Sequence, residues 1–259
     1  MKPHISTTKE ESGIDEEFVL KLRELAQKER HQEYLDLLHP ALEQVVLRES
    51  DEPLLHLKKH LDPRIAIDLA ELPIELTKEE HSGRFYLRKG IIERLNRVQA
   101  SLPDEFRLCV RDPLRTEDIV WKLHRAYVAN VMKEQDVDER TADLYVRNIL
   151  ALPDDPVTPG HMTGGAIDVV LLHADGSRAQ MVIDYEVIPR KKQMFTDCSG
   201  LPEHVVYHRQ LLKTHMEGEG FMNYFREYWH YSFGDSYWAV RRKEKVAHYG
   251  IPQKHHFPS

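Results

Sequence analysis

The chain contains few cysteines for its size. Only Cys109 and Cys198 occur in 259 residues, too few for a disulfide framework or for a zinc site made of four thiolates. Cys109 lies in the apolar run FRLCVRD, as expected of a small core residue, and Cys198 lies in a polar loop. At most one disulfide can form between them.

Long apolar runs and an excess of positive charge are also missing. No stretch approaches eighteen consecutive apolar residues, and residues 1–17 contain no apolar segment typical of an export signal. We therefore expect a cytoplasmic protein without a membrane span. The net charge of -7 argues against nucleic acid as a partner. The oligomeric state is left open.

Hydrophobic patterning divides the chain into two parts. The polar residues 1 to about 13 are expected to be disordered. Apolar residues then recur at helical spacing, which predicts an N-terminal helical extension over residues 1–55. The remaining residues, 56–259, are predicted to form the main domain.

The main domain begins with helices and continues with strand-like segments. Residues 83–102 predict an amphipathic helix, and Thr116 is a suitable N-cap for another. Residues 166–173 and 178–187, joined by Asp-Gly, predict a hairpin, and the aromatic residues 225–240 predict more strand. This order favours an α+β fold with a mostly antiparallel central sheet and flanking helices.

The stretch PGHMTGGAIDVV, residues 159–170, carries the first chemical signal. Strand alternation places Asp168 on a face with small and apolar neighbours, where an unpaired carboxylate is costly. Gly164 and Gly165 allow the backbone to turn and bring His161 towards Asp168. On this spacing alone, a histidine–aspartate hydrogen bond that holds a loop explains the pattern better than a metal site.

A second stretch, FREYWHYSFGD, changes that balance. His230 can provide a second imidazole, and two histidines with a carboxylate form a known catalytic zinc ligand set. Glu227 can then act as a general base beside the ion. Residues three apart on a regular strand face opposite sides, so this assignment requires a bulge or turn between Glu227 and His230.

The two motifs, His161-x-x-Gly164-x-Ala166-x-Asp168 and Glu227-x-x-His230, together resemble those of the D-alanyl-D-alanine dipeptidases of the vancomycin-resistance type. These zinc peptidases are related to D,D-carboxypeptidases and to the Hedgehog fold. RLCVRDPLRT resembles the strand that ends in Asp-Gly-Tyr-Arg-Pro in the family, with Asp112 and Arg115 at the Asp and Arg positions. The resemblance extends over residues 60–245.

The resemblance implies one Zn²⁺ per chain bound by His161, Asp168 and His230, with Glu227 as the catalytic base. It also implies that Arg115 stabilises the oxyanion of the tetrahedral intermediate. The implied activity is hydrolysis of D-Ala-D-Ala or a similar small dipeptide, linked to cell-wall metabolism. Alternatives are a D,D-carboxypeptidase or endopeptidase that acts on cell-wall peptides, and a non-catalytic domain stabilised by zinc.

The substrate-binding positions depart from the family pattern. The serine that usually stands two residues before the first ligand is replaced by Pro159, with Thr158 one residue earlier. The acid expected to bind the free amine of the substrate falls in IDYEVIPR, where Glu186 is the best match and Asp184 the next.

Other histidines are assigned structural or solvent-exposed positions. His204 and His208 have helical i, i+4 spacing but no obvious third ligand, and we expect a helix-surface or satisfied core pair. His255 and His256, near the C-terminus, are expected to be exposed.

Overall fold

The computed structural model describes residues 14–188 and 190–258. The expected disorder of residues 1–13 therefore falls outside the described part. Within that part the helices are α1 (Glu16–Gln27), α2 (His31–Glu43), α3 (Leu57–His60), α4 (Lys78–Gly83), α5 (Lys89–Ser101), α6 (Glu117–Gln135), α7 (Glu139–Arg147), α8 (Gly160–Thr163), α9 (Arg190–Met194), α10 (Glu203–Gly218) and α11 (Ser236–Arg242). None of these helices is both long and apolar enough to cross a membrane.

The strands are short and belong to three sheets. They are β1 (Val46–Leu47), β2 (Leu54–His56), β3 (Ala66–Ile67), β4 (Tyr86–Arg88), β5 (Phe106–Asp112), β6 (Ala166–His173), β7 (Met222–Asn223), β8 (His230–Ser232) and β9 (Val246–Ala247). The largest sheet has the order β3-β5-β6-β8-β7, and two-stranded sheets join β1 with β9 and β2 with β4.

The α+β class is confirmed, but the expectation of one mostly antiparallel central sheet is not met as stated. The described strands are distributed over three sheets, and the pairs β3–β5 and β1–β9 are parallel. Each parallel pair joins two segments that lie far apart in sequence. The sequence patterns indicated only strands that are neighbours along the chain, and such neighbours pair antiparallel.

The predicted hairpin forms only near its turn. Its second arm makes one bridge, between Leu172 and Arg178, and Ala179 still donates to the carbonyl of Leu171. Beyond that point the same edge of β6 is occupied, because the amide of Val169 donates to the carbonyl of Trp229. Residues 180–187 therefore leave the sheet, and the predicted strand over them is wrong.

The aromatic segment 225–240 is also not one strand. It contains a turn, the short strand β8 and the helix α11. Gly234 has a φ of 75°, which ends the strand. The side chain of Asp235 then caps α11 by accepting a hydrogen bond from the amide of Trp238.

The main core lies between the central sheet and the helices α5 and α10. Leu95 and Val98 of α5 and Leu212 of α10 are fully buried with Leu108 and Val169 of the sheet. Each such side chain contributes roughly 1.5–3 kcal/mol on burial. This packing fixes β5 and β6, two of the three strands that contribute side chains to the candidate site.

The N-terminal helices pack on this domain through an apolar contact and an ion pair. Leu22, Leu25 and Leu38 share a buried cluster with Phe225 and Val240. In addition, Arg23 Nε donates to the carboxylate of Asp197 over 2.8 Å. The turn that precedes β8 therefore has α1 and α2 against its outer side.

Candidate metal centre

His161 lies in the one-turn helix α8, which a glycine ends. Gly164 adopts the left-handed conformation, with φ of 71°, and a Cβ there would come within 2.9 Å of Leu54. His161 Nδ1 donates to the carbonyl of Pro113 over 2.8 Å. This bond fixes the tautomer and leaves the Nε2 lone pair available to a metal, as is usual for metal-binding histidines.

Asp168 lies on β6 between two neighbouring strands that also place polar groups beside it. It pairs in register with Asp112 of β5 and with His230 of β8. Cross-strand partners project from the same face of a sheet. These three side chains therefore form a row across the sheet, and α8 places His161 over it.

The ligand atoms predicted from the sequence converge in space. His161 Nε2 lies 3.1 Å from His230 Nδ1 and 3.3 Å from Asp168 Oδ1. His230 Nδ1 lies 3.0 Å from Asp168 Oδ1. The ligand set is two imidazoles and one carboxylate, which suits zinc and leaves a coordination position for another group.

Charges around Asp168 favour its ionised form. Burial raises the pKa of this carboxyl, but the two adjacent imidazoles hold it below its usual range. His230 shows the complementary effect. Burial lowers its pKa, but the hydrogen bond to Asp168 and the charges of Asp168 and Glu227 together raise it above its usual value. The site therefore presents a stable negative charge to a cation.

Glu227 reaches the cluster because the chain turns before β8. The amide of Glu227 donates to the carbonyl of Tyr224, and the amide of His230 donates to the carbonyl of Glu227. The required turn between Glu227 and His230 is thus confirmed. Glu227 Oε2 lies 3.9 Å from His230 Nδ1, and burial raises the pKa of this carboxyl although His230 lowers it.

Arg115 is held beside the cluster by a buried carboxylate. Its Nε donates to Asp112 Oδ2 over 2.9 Å, and Arg84 Nη2 donates to Asp112 Oδ1 over 3.0 Å. Burial lowers the pKa of Arg115, but the charges of Asp112 and Asp168 more than compensate and raise it. The guanidinium is therefore permanently charged and has little freedom to move.

Sequence reasoning missed two groups that support the site, Arg84 and Ser232. Arg84 lies far from Asp112 in sequence, and no local motif links them. Ser232 Oγ lies 3.4 Å from Nε2 of His230, the ring nitrogen that faces away from the ligand cluster. Ser232 follows His230 by two residues on one strand, so the two side chains lie on the same face. This spacing could have identified Ser232 from the sequence.

The predicted substrate-binding residues are not part of this cluster. Thr158 is half-buried in the loop before α8, and Asp184 and Glu186 are exposed in the loop before α9. Asp184 Oδ1 accepts a hydrogen bond from the amide of Glu186. Within residues 14–188 and 190–258, no hydrogen bond or ion pair joins these three residues to the candidate ligands.

The structure separates the other histidines that were considered in the sequence into two cases. His204 and His208 bind the side chain and the backbone carbonyl of Gln180, so they form the satisfied helix pair that was expected. His256, in contrast, is only 2% exposed, and its predicted exposure is wrong because the tail folds back on residues 49–51. Cys109 and Cys198 are both free thiols.

Comparison with known proteins decides the family. The profile of the peptidase family described as D-Ala-D-Ala dipeptidase matches residues 108–248, more than half of the chain and a range that includes all five candidate metal and catalytic residues. The chain belongs to the D-Ala-D-Ala dipeptidase family. It is therefore a metallopeptidase of the dipeptidase type. A relative in Synechocystis sp., named D-alanyl-D-alanine dipeptidase, is 27% identical over 201 residues, which cover 66% of this chain and 81% of the relative.

Two independent observations agree with membership of this dipeptidase family. The family profile is matched by sequence, whereas the convergence of the three ligand atoms within 4.8 Å is a property of the structure. Zinc is the metal typical of the family, and the two-histidine, one-carboxylate cluster suits that ion.

Proposed function

We propose that the chain is a zinc-dependent dipeptidase that hydrolyses D-Ala-D-Ala or a similar small dipeptide. The observation that carries this proposal is the convergence of His161 Nε2, Asp168 Oδ1 and His230 Nδ1, with Glu227 adjacent. These three atoms would hold one zinc ion. When bound, zinc supplies Lewis acidity, which polarises a carbonyl group and makes a water more acidic.

Glu227 is proposed as the general base. Its carboxylate takes a proton from the attacking water and then passes it to the amine that leaves. A buried carboxyl with a raised pKa is better matched to this proton transfer than an exposed one, because both protonation states are within reach. Arg115, fixed by Asp112, is proposed to stabilise the negative charge that develops on the carbonyl oxygen.

Substrate selection is proposed to depend on an acid that binds the free amine of the dipeptide. Glu186 is the first candidate and Asp184 the second, and Thr158 is proposed to contact the substrate where the family uses a serine. The loop of residues 184–187 is exposed, so an acid there can meet a small ligand from solvent. We further propose that residues 1–55 are an extension and that residues 56–259 form the peptidase domain.

The test is D-Ala release by the zinc-loaded chain and by Glu227→Gln. We expect the variant to retain zinc and to lose about 10²–10⁴-fold in kcat. Glu203→Gln, on the exposed start of α10, is the matched control and should keep full activity. Equal activity of Glu227→Gln and wild type would remove Glu227 from the mechanism, and a wild type without zinc would remove the zinc site.

A second substrate separates the dipeptidase from a carboxypeptidase. N-acetyl-D-Ala-D-Ala has no free amine, so a dipeptidase should cleave it poorly, whereas a carboxypeptidase should accept it. We expect Glu186→Gln or Asp184→Asn to raise KM for D-Ala-D-Ala and to leave cleavage of the acetylated compound unchanged. If neither substitution alters KM, the amine is bound elsewhere.

A further inference from the structure

A second cluster of potential metal ligands lies at the C-terminal tail and shares no residue with the dipeptidase site. His255 and His256 belong to a short 3₁₀ helix, Lys254–His256, and Asp51 belongs to the segment that follows β1. One ligand atom from each of these residues lies within 4.8 Å of the other two. The ligand types are again two imidazoles and one carboxylate.

His256 is the residue whose surroundings point most directly to a bound ligand. It is 2% exposed, and its Nε2 has no hydrogen-bond partner within the described residues. This nitrogen lies 3.6 Å from Glu49 Oε1 and 3.8 Å from Asp51 Oδ1. Both distances are too long for hydrogen bonds. Ligands about 2.0–2.2 Å from a tetrahedral zinc ion lie about 3.3–3.6 Å apart, so a bound ion would draw Asp51 slightly closer to His256.

The other two ligand atoms complete the arrangement. His255 Nε2 lies 3.4 Å from Asp51 Oδ1, and the two imidazole rings lie 4.0 Å apart. The side chain of Asp51 is 79% exposed, so an ion can enter from solvent. Asp51 thus faces both imidazoles through one carboxylate oxygen.

The His256 ring is held by Gln253, whose amide donates to His256 Nδ1 over 2.8 Å. A metal at Nε2 requires the ring proton on Nδ1 instead, where the carbonyl of Gln253, 3.2 Å away, accepts it. Zinc binding therefore exchanges one bond to Gln253 for the other. Glu49 is held by Arg88 and by the amide of Gly250, and so stays beside the cluster without being needed as a ligand.

We propose that Asp51, His255 and His256 form a second zinc-binding site. Bound zinc would fasten the C-terminal tail to the segment after β1, adding to the parallel pairing of β1 with β9 and to the bond from the amide of Ser50 to the carbonyl of His248. The site is structural and does not depend on the proposed dipeptidase activity.

The test is a count of bound zinc in the full chain after dialysis against micromolar free zinc. Asp51→Asn is the informative variant, because Asp51 has φ of 54° and asparagine tolerates that conformation. His255→Gln removes a second ligand at an exposed position. His39→Gln, an exposed histidine on α2, is the control.

We expect two zinc ions in the wild type and in His39→Gln, and one in Asp51→Asn and in His255→Gln. In His161→Ala with His230→Ala, one ion should remain, and adding Asp51→Asn should remove it. In that double variant zinc should raise the Tm, and the rise should vanish with Asp51→Asn. Equal zinc content in wild type and Asp51→Asn overturns the proposal, as does a double variant that binds no zinc.

Discussion

The buried carboxylate of Asp112 binds two arginine side chains at once. Asp112 is 2% exposed and accepts hydrogen bonds from Arg84 on one oxygen and from Arg115 on the other. Asp112→Asn keeps the shape but removes the charge that both guanidinium groups share. Since Arg84 is also 2% exposed, its charge stays buried without a carboxylate. Breaking a buried pair in this way costs about 3–5 kcal/mol, and we expect the lower end because the amide oxygen still accepts one bond.

The same substitution should reduce catalysis, because it releases Arg115 from its fixed position. A displacement of about 1 Å in a group that acts on the reacting atoms costs on the order of 10²-fold in rate. We expect a loss of this size in kcat, with zinc content unchanged, because Asp112 contacts none of the three proposed ligands by a hydrogen bond or ion pair among the described residues.

The measurements are urea unfolding at neutral pH and kcat at saturating zinc. Asp68→Asn is the matched control, because Asp68 also pairs with two arginines, Arg111 and Arg178, but its side chain is 56% exposed. A surface pair of this kind contributes roughly 0–1 kcal/mol. Equal destabilisation by the two substitutions would refute the role assigned to burial, and an unchanged kcat in Asp112→Asn would refute the positioning of Arg115.

Three further predictions concern the ligands, the turn and the N-terminal helices. His230→Ala should abolish zinc binding at the proposed catalytic site, measured as the loss of one equivalent of zinc together with D-Ala release. Gly164→Ala should destabilise the chain by about 1–2 kcal/mol in urea unfolding, because a residue with a Cβ is strained at positive φ; its zinc affinity should fall as well. Burial raises the pKa of Asp197, but its bond to Arg23 and the charges of Lys213 and Arg23 together lower it below the ordinary 3.8. The stability from this pair is therefore present above pH 3.8 and is lost as the pH falls further, so α1 should become sensitive to protease in acid, and Asp197→Asn should remove that pH dependence.

Sequence patterns predicted those features of the structure that depend on residues close together in the chain. The i, i+4 apolar spacing in α5 predicted the burial of Ile91, Leu95 and Val98. The motif around His161 and Asp168 predicted two side chains that meet, because a glycine-ended turn followed by a strand brings them together by itself. Leu87, assigned to the same helix as Ile91, lies instead in β4, since pairing with β2 competes with the helical pattern there.

Interactions between distant segments could not be predicted in this way. The predicted strand over residues 178–187 had suitable residues, but β8 already occupied the edge of β6 that it needed. His256 was assigned to solvent because a polar tail gives no sign that it folds back against residues 49–51. The burial of Arg84 beside Asp112 likewise depends on tertiary contacts that have no signature in the segment around either residue.

The register of β5 against β6 explains how the site keeps its negative charge. Val110 pairs with Val169, and a regular antiparallel ladder would next place Arg111 opposite Asp168. A bulge shifts the register, so that Asp112 pairs with Asp168 instead. Two carboxylates in directly opposed positions repel each other, but Arg84 and Arg115 neutralise Asp112. Arg111 meanwhile pairs with Asp68 on the surface. Thus no arginine salt bridge occupies Asp168 within the described residues, and its carboxylate stays available to the two histidines and to a cation.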